Sequence, residues 1–394
     1  MAYRTRRNVA RAIGERGAGE RVFRVLALDG GGMRGLIPAQ VLAYLERRAR
    51  RPVHDLFDLV AGTSTGGLLS LALTIPRPKA SEPYTAEGAI ELYREERRKI
   101  FGRGPWHAIV RSGGGWWGPK YPAEGVEEVL QRRFHERTIG EALTNVLVTS
   151  YDTEASAPFF FKSWRTKRPA DDPDYQDDFK AWQAARATSA APTYFPPLQL
   201  LPLKRRVDAP RTLVDGGVFA NDPAVCAYAE AVRLTRGEPA TRIVLVSLGT
   251  GEFYRPDHFR ALQHAGRIGW IQPLIRIVMD GMSDATQYQC DQILGEDCAR
   301  FQAQGVRREL DDTSDDAVVE FTAAGQELVR ERRAELDALA NALAAAPRWQ
   351  SAGSRPAMPS VPQTTASAPL AGAGAGASGG PGAGPDAPKV PTAH

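Results

Sequence analysis

Residues 22–45 read VFRVLAL-DGGGMRG-LIPAQVLAYL and hold three kinds of pattern in a row. Val22–Leu28 is a short, nearly continuous apolar run, the signature of a strand buried on both faces. Asp29-Gly30-Gly31-Gly32-Met33-Arg34-Gly35 follows, too rich in glycine to continue either regular element. Leu36, Ile37, Val41, Leu42 and Leu45 then recur at helical spacing up to Arg47-Arg48, a basic end that suits the negative pole of a helix. Strand, glycine turn and helix make the opening of an α/β unit.

The pattern repeats along the chain. Phe57–Ala61 predicts a second strand, ending at Gly62, and Gly66–Thr74 an apolar helix that stops before Pro76. Glu87–Ile100, Tyr121–His135 and Ala181–Ala191 predict helices, and alanine-rich helix dominates Val318–Ala346. Asn145–Tyr151, Phe159–Ser163, Thr212–Val214 and Arg242–Leu248 predict strands. Asn221-Asp222-Pro223 is a helix start, with a capping side chain and then proline in the first turn. Alternation of this kind argues for an α/β fold with a largely parallel sheet. Three strands end in glycine, at Gly30, Gly216 and Gly249, where such sheets bind ligands.

A chain of 394 residues with 43% hydrophobic and 24% charged residues has enough apolar material for a sizeable core, which excludes a wholly disordered protein. A net charge of +4 and the lack of a long Lys/Arg block argue against a nucleic-acid polymer as partner. Residues 1–20 are Arg/Gly-rich and are expected to form a flexible basic arm. Cys226, Cys290 and Cys298 form neither a disulfide framework nor a C-x-x-C metal pair, which favours a reducing, cytoplasmic setting. No secretory signal is recognisable. No apolar run approaches the length of a membrane span, so a spanning protein is excluded and a surface-binding one is not. From Ser351 onward only Arg355, Asp386 and Lys389 are charged among Ala, Gly and Pro, and 347–394 reads as a disordered tail behind a domain over 21–346.

Gly62-Thr63-Ser64-Thr65-Gly66 matches G-x-S-x-G between a predicted strand and a predicted helix, the context of a nucleophile elbow. Gly62 and Gly66 leave room for a sharp turn that lifts the Ser64 hydroxyl to a helix N-terminus. The Gly30–Gly35 loop also fits G-x-G-x-x-G, a dinucleotide fingerprint, but Asp55 and Asp58 do not close a second strand as a ribose-binding acid would. A nucleotide-binding module further lacks G-K-[ST]. Paired with a serine one strand later, the Gly30, Gly31 and Gly32 amides and Arg34 read instead as an oxyanion hole. Asp215-Gly216-Gly217 ends another strand, and Ser64 needs a base. None of the six histidines (His54, His107, His135, His258, His264, His394) closes a strand, which leaves a Ser64–Asp215 dyad. A carboxyl near pKa 3.9 is a poor base at neutral pH, so the site must raise it by burial.

These three motifs, DGGGMRG (Asp29–Gly35), GTSTG (Gly62–Gly66) and DGG (Asp215–Gly217), resemble the patatin-like phospholipase family in type, order and spacing. Ala187–Phe195 is also similar to the segment that precedes the family's aspartate. The resemblance covers roughly residues 20 to 300. It implies a three-layer α/β/α sandwich and cleavage of acyl esters of phospholipids or related lipids by Ser64 and Asp215. By it, Gly30–Gly32 and Arg34 line the oxyanion hole and no metal or cofactor takes part. Lipid as substrate implies peripheral contact with a membrane surface.

Two segments carry further expectations. Trp106, Trp116, Trp117 and Tyr121 with Gly113–Gly115 are either interface-seeking rings or core anchors beneath a loop. Met282–Cys290 reads as a helix start and resembles a stretch of bacterial patatin-like effectors, some switched on by cyclic nucleotides. The alternatives are therefore a cyclic-nucleotide-activated phospholipase effector of bacterial defence and a non-catalytic lipid-binding relative.

Overall fold

The computed structural model of the chain describes residues 9–14, 20–102, 118–201, 203, 210–252, 263 and 266–349. In chain order the longer elements are α1 (Val9–Gly14), β1 (Arg21–Leu28), α2 (Leu36–Ala49), β2 (Leu59–Gly62), α3 (Thr65–Ala72), α4 (Ala86–Ile100) and α5 (Ala123–Phe134). They continue with β3 (Asn145–Asp152), β4 (Ala157–Lys162), α6 (Ala181–Thr188), β5 (Leu198–Leu200), β6 (Arg211–Asp215) and α7 (Ala224–Leu234). The last are β7 (Thr241–Leu248), α8 (Ile271–Leu294), β8 (Cys298–Phe301), α9 (Asp315–Glu331) and α10 (Arg333–Ala345).

Eight strands form one mixed sheet in the order β5-β6-β3-β2-β1-β7-β8, with β4 also paired to β3. β1 lies parallel to β2 and β7, β2 to β3, and β7 to β8. β3 runs antiparallel to β4 and β6, and β5 to β6. The parallel centre follows from the α2 and α3–α5 crossovers, since parallel neighbours require a return across the sheet. Alternation along β1 divides the core: Val22, Leu26 and Leu28 pack with α2, α9 and α10, while Phe23, Val25 and Ala27 pack with Ala224, Ala227 and Ala231 of α7. Helices thus cover both faces of the sheet, as the α/β/α expectation requires. Val146, Val148 and Phe161 of β3 and β4 bury themselves against α5 and α6.

Arg24 interrupts the apolar face of β1 and is fully buried. Its Nε and Nη2 each donate to Asp58 at 2.8 Å, so the acid weighed as a ribose ligand is the counter-ion of a core arginine.

Three expectations change. Within residues 1–20, expected as an arm, α1 buries Val9, Ala12 and Ile13 in the core shared with β1 and α10, because its apolar positions fall on one side of the turn. The ordered domain also runs past Ala346: Trp349 meets Phe23 edge-on at 5.1 Å and its backbone N–H donates to Asp58 Oδ1 at 3.1 Å. The helix expected over Val318–Ala346 is two helices, broken at Arg332. Of the aromatic segment, Trp106, Trp116 and Trp117 lie outside the described residues, whereas Tyr121 is a core anchor packed on Phe101 and Phe195. The tail from 350 also lies outside the described residues.

Candidate active site

Ser64 sits between β2 and α3 at φ 53° and ψ −121°, a conformation that side chains other than glycine rarely adopt. The glycines around it are steric necessities. A Cβ on Gly62 lies 2.1 Å from the Gly66 carbonyl oxygen, and one on Gly66 lies 2.1 Å from that of Leu28. The turn is held from several sides. The Ser64 N–H donates to Thr188 Oγ1 at 2.8 Å, and the Thr63 hydroxyl donates to the Ala220 carbonyl at 2.6 Å. Thr65 shares a short hydrogen bond with the buried Tyr93 hydroxyl of α4. Over-determined geometry of this kind is what keeps a strained residue in place.

Asp215 ends β6 opposite Ser150 of β3, two strands from the serine turn. Its N–H donates to the Ala190 carbonyl at 3.0 Å, and Gly216 packs so closely on Thr149 that a Cβ there comes within 2.1 Å of Oγ1. The carboxylate is 2% exposed. Oδ1 accepts from the Gly217 N–H at 2.7 Å. Oδ2 is enclosed without a hydrogen bond of full geometry, on a carboxylate whose negative form the nearby Ser64 hydroxyl stabilises. Burial pushes the carboxyl up to about 7, against the lowering effect of the Gly217 N–H and the Ser64 hydroxyl. That is the direction a base for neutral-pH chemistry needs.

The glycine loop passes directly over the serine: a Cβ on Gly30 lies 3.3 Å from Ser64 Cβ. Its anchor is ionic. Arg300 of β8 donates with two nitrogens to the Asp29 carboxylate and also reaches Asp222 at 3.2 Å and Ser247 at 2.6 Å. Burial works against the Arg300 charge, but Asp29 and Asp222 outweigh it and raise its pKa. The Gly31 and Gly32 amides make no hydrogen bond among the described residues. The Gly30 amide differs from the expectation: it donates to the Asn221 carbonyl at 3.0 Å. Gly32 needs its freedom, with φ +56° and the Leu310 carbonyl oxygen 2.3 Å from any Cβ. Gly35 packs on Thr65 and Tyr93, joining the loop to the serine turn. Arg34 is half-buried; burial lowers its pKa, while Asp280, Glu309 and Tyr194 favour its charge.

α8 crosses this site. Met279 Cε stands 3.1 Å from a Cβ placed on Gly217, and Asn221 Nδ2 donates to Ser283 Oγ at 3.1 Å. Met282–Cys290 is therefore the interior of a 24-residue helix, not a helix start. The apolar recurrence of Leu274, Ile277, Val278 and Met282 was the available signal for it. Thr149, Thr188 and Arg300 also escaped the sequence reading, since a lone threonine or arginine carries no local mark of its partner. Among the described histidines, His54 is buried beside Glu82 and His135 caps α5. No group of three or more His, Cys, Asp or Glu among the described residues is arranged to hold a metal.

A mixed, mostly parallel sheet with helices on both faces and a strained serine beside a buried carboxylate defines an α/β/α protein with a polar site at the strand ends. Residues 26–228 match the family described as patatin-like phospholipase, and the chain belongs to that family. It is 31% identical to Patatin-08 of Solanum tuberosum over 346 residues, 79% of this chain and 84% of that one. It is 32% identical over 271 residues to a protein of the same plant named probable inactive patatin-3-Kuras 1, 64% of this chain and 69% of that one. VipD from Legionella pneumophila, a solved structure, aligns with 80% of this chain and 67% of its own at 12% identity and a TM-score of 0.32.

Proposed function

We propose that the protein is a serine lipid acyl hydrolase that cleaves acyl esters of phospholipids or related lipids through Ser64 and Asp215. The observation that carries this reading is a buried aspartate held near neutrality beside a serine in a strained turn. Ser64 Oγ attacks the ester carbonyl as its proton passes to Asp215 Oδ2. The tetrahedral oxyanion is held by the Gly31 and Gly32 amides, with Arg34 adding positive charge nearby. Collapse of the intermediate breaks the bond to the leaving alcohol, which takes the proton from Asp215. Asp215 then removes a proton from water, whose oxygen attacks the acyl-serine. The second collapse releases the fatty acid and returns the proton to Ser64.

The acyl hydrolase unit comprises α1 together with residues 21–349. Its substrate is reached at a peripheral membrane surface. Trp270, just before α8, and Leu274, Ile277 and Val278 in its N-terminal half are 38–53% exposed, an apolar stripe suited to a lipid interface. No described helix is long and apolar enough to cross a membrane. Three free thiols suit a cytoplasmic setting.

The test is incubation with mixed phospholipid vesicles, measuring free fatty acid and lysolipid, with Ser64→Ala and Asp215→Asn in parallel. Release by the wild type alone supports the reading. Equal release by a correctly folded Ser64→Ala protein refutes it.

A further inference from the structure

We propose that the side-chain amide of Asn221 is a catalytic donor to the oxyanion, working beside the Gly31 and Gly32 amides; this rests on the serine hydrolase reading above. Three observations meet at this residue. First, Asn221 takes a donor away from the loop, because its backbone carbonyl accepts the Gly30 N–H at 3.0 Å. Second, its side chain adjoins both reacting groups. A carbon placed as Cβ on Gly30 lies 2.4 Å from Asn221 Oδ1 and 3.3 Å from Ser64 Cβ. A carbon placed on Gly217 lies 3.5 Å from the same Oδ1 and 3.1 Å from Asp215 Oδ1. The Gly30 position thus faces both the amide and the serine, and the Gly217 position both the amide and the base.

Third, the amide is half satisfied. Asn221 is 7% exposed, Nδ2 donates to Ser283 Oγ at 3.1 Å, and Oδ1 is buried with no hydrogen-bond partner. A buried amide oxygen left without a donor is costly. A half-turn of the carboxamide, which exchanges two atoms of nearly equal size, moves that cost from the oxygen to an N–H, where a developing oxyanion can relieve it. Ser283, a hydroxyl that donates as readily as it accepts, then donates to Oδ1. Nδ2 takes the place that Oδ1 holds and presents an N–H beside Ser64. There the oxygen of a tetrahedral intermediate can accept it. A donor that gains its partner only in the transition state accelerates the reaction without tightening substrate binding.

The experiment uses the full chain, a short-chain p-nitrophenyl ester and a fatty-acyl trifluoromethyl ketone, whose hydrate-like adduct with serine bears the same oxyanion. Asn221→Ala is expected to lower kcat by about 10²–10³-fold, the effect of removing one oxyanion donor, with KM changed less than about threefold. Inhibition by the ketone weakens by a similar factor, and the acid limb of the pH–rate profile stays in place. Three results each overturn the proposal: kcat within about threefold of wild type, unaltered ketone inhibition, or an upward shift of the acid limb, which makes the amide a partner of Asp215 instead. Should Asn221→Ala fail to fold, Asn221→Ser withdraws the amide while keeping a polar group and is read in the same way. Ser64→Ala is run alongside: if it hydrolyses the ester like wild type, the serine hydrolase reading itself has failed. If it is inactive and the Asn221 variant is not impaired, only this proposal falls.

Discussion

Arg300 Nη1 donates to Asp29 Oδ1 at 2.7 Å across 271 residues of sequence, and Nη2 bonds the other carboxylate oxygen. This two-pronged pair ties β8 to the first residue of the glycine loop. Both side chains are largely buried, at 14% and 3% exposure, so neither charge has water to fall back on. Arg300→Met is expected to destabilise the fold by roughly 3–5 kcal/mol, the cost of leaving a buried charge unpaired. Adding Asp29→Asn to that variant recovers part of the loss. Chemical denaturation of the two variants and the wild type measures it.

Asp215 carries a pH signature. Its carboxyl is pushed from the ordinary 3.8 up to about 7. The unfolded chain therefore loses this proton near pH 4 and the folded chain near pH 7. Between these values the folded state binds more protons, so stability falls as pH rises through the window and levels off above it. Asp215→Asn removes the penalty, and its gain over wild type grows from little below pH 4 to at most about 4 kcal/mol above pH 7. Under the proposed dyad turnover moves the other way, since Asp215 takes the Ser64 proton only when ionised: kcat/KM of the wild type rises up to about pH 7 and then flattens. Thermal unfolding and ester hydrolysis over pH 4–9 test both arms.

Thr188 supports the serine turn from α6, accepting the Ser64 N–H at 2.8 Å. Thr188→Val keeps the shape and removes the acceptor. A buried N–H left unpaired costs about 1–3 kcal/mol, and here that cost falls on a turn already strained at φ 53°. We expect a loss of that size in denaturation. A fall in kcat larger than any rise in KM is expected as well, because the turn that carries Ser64 is displaced.

The α8 stripe separates interface from chemistry. Leu274, Ile277 and Val278 are 53%, 48% and 39% exposed, so replacing all three by Ser leaves the fold intact. If they meet lipid, vesicle binding and vesicle hydrolysis drop by tenfold or more, while hydrolysis of a soluble short-chain ester is unchanged. Equal activity on both substrates removes the membrane role from α8.

The elements that the sequence reading recovered are those whose causes are local. Val22–Leu28 alternates its side chains between two core faces, and the helical spacing of Leu36–Leu45 buries one side of α2. Gly62 and Gly66 are required by clashes within five residues or with the adjoining strand. The N-terminal helix and α8 were missed or misplaced for the opposite reason. Val9, Ala12 and Ile13 are too few to form a pattern until β1 and α10 supply a surface for them. α8 mixes apolar and polar residues because one side meets the site and another is exposed.

By itself the sequence determined the strand–turn–helix at Ser64, the glycine loop and the aspartate at a strand end, because steric room for a sharp turn depends on neighbours in the chain. Tertiary structure alone decided that Asp215 stands beside Ser64, 151 residues away, since that depends on the order in which β2, β3 and β6 join the sheet. It also decided that Asp215 is dry enough to hold its proton near pH 7, that Asn221 closes off the Gly30 amide, and that Arg300 anchors Asp29. Desolvation and pairing are properties of the space around a side chain, and that space is made by segments far apart in the chain.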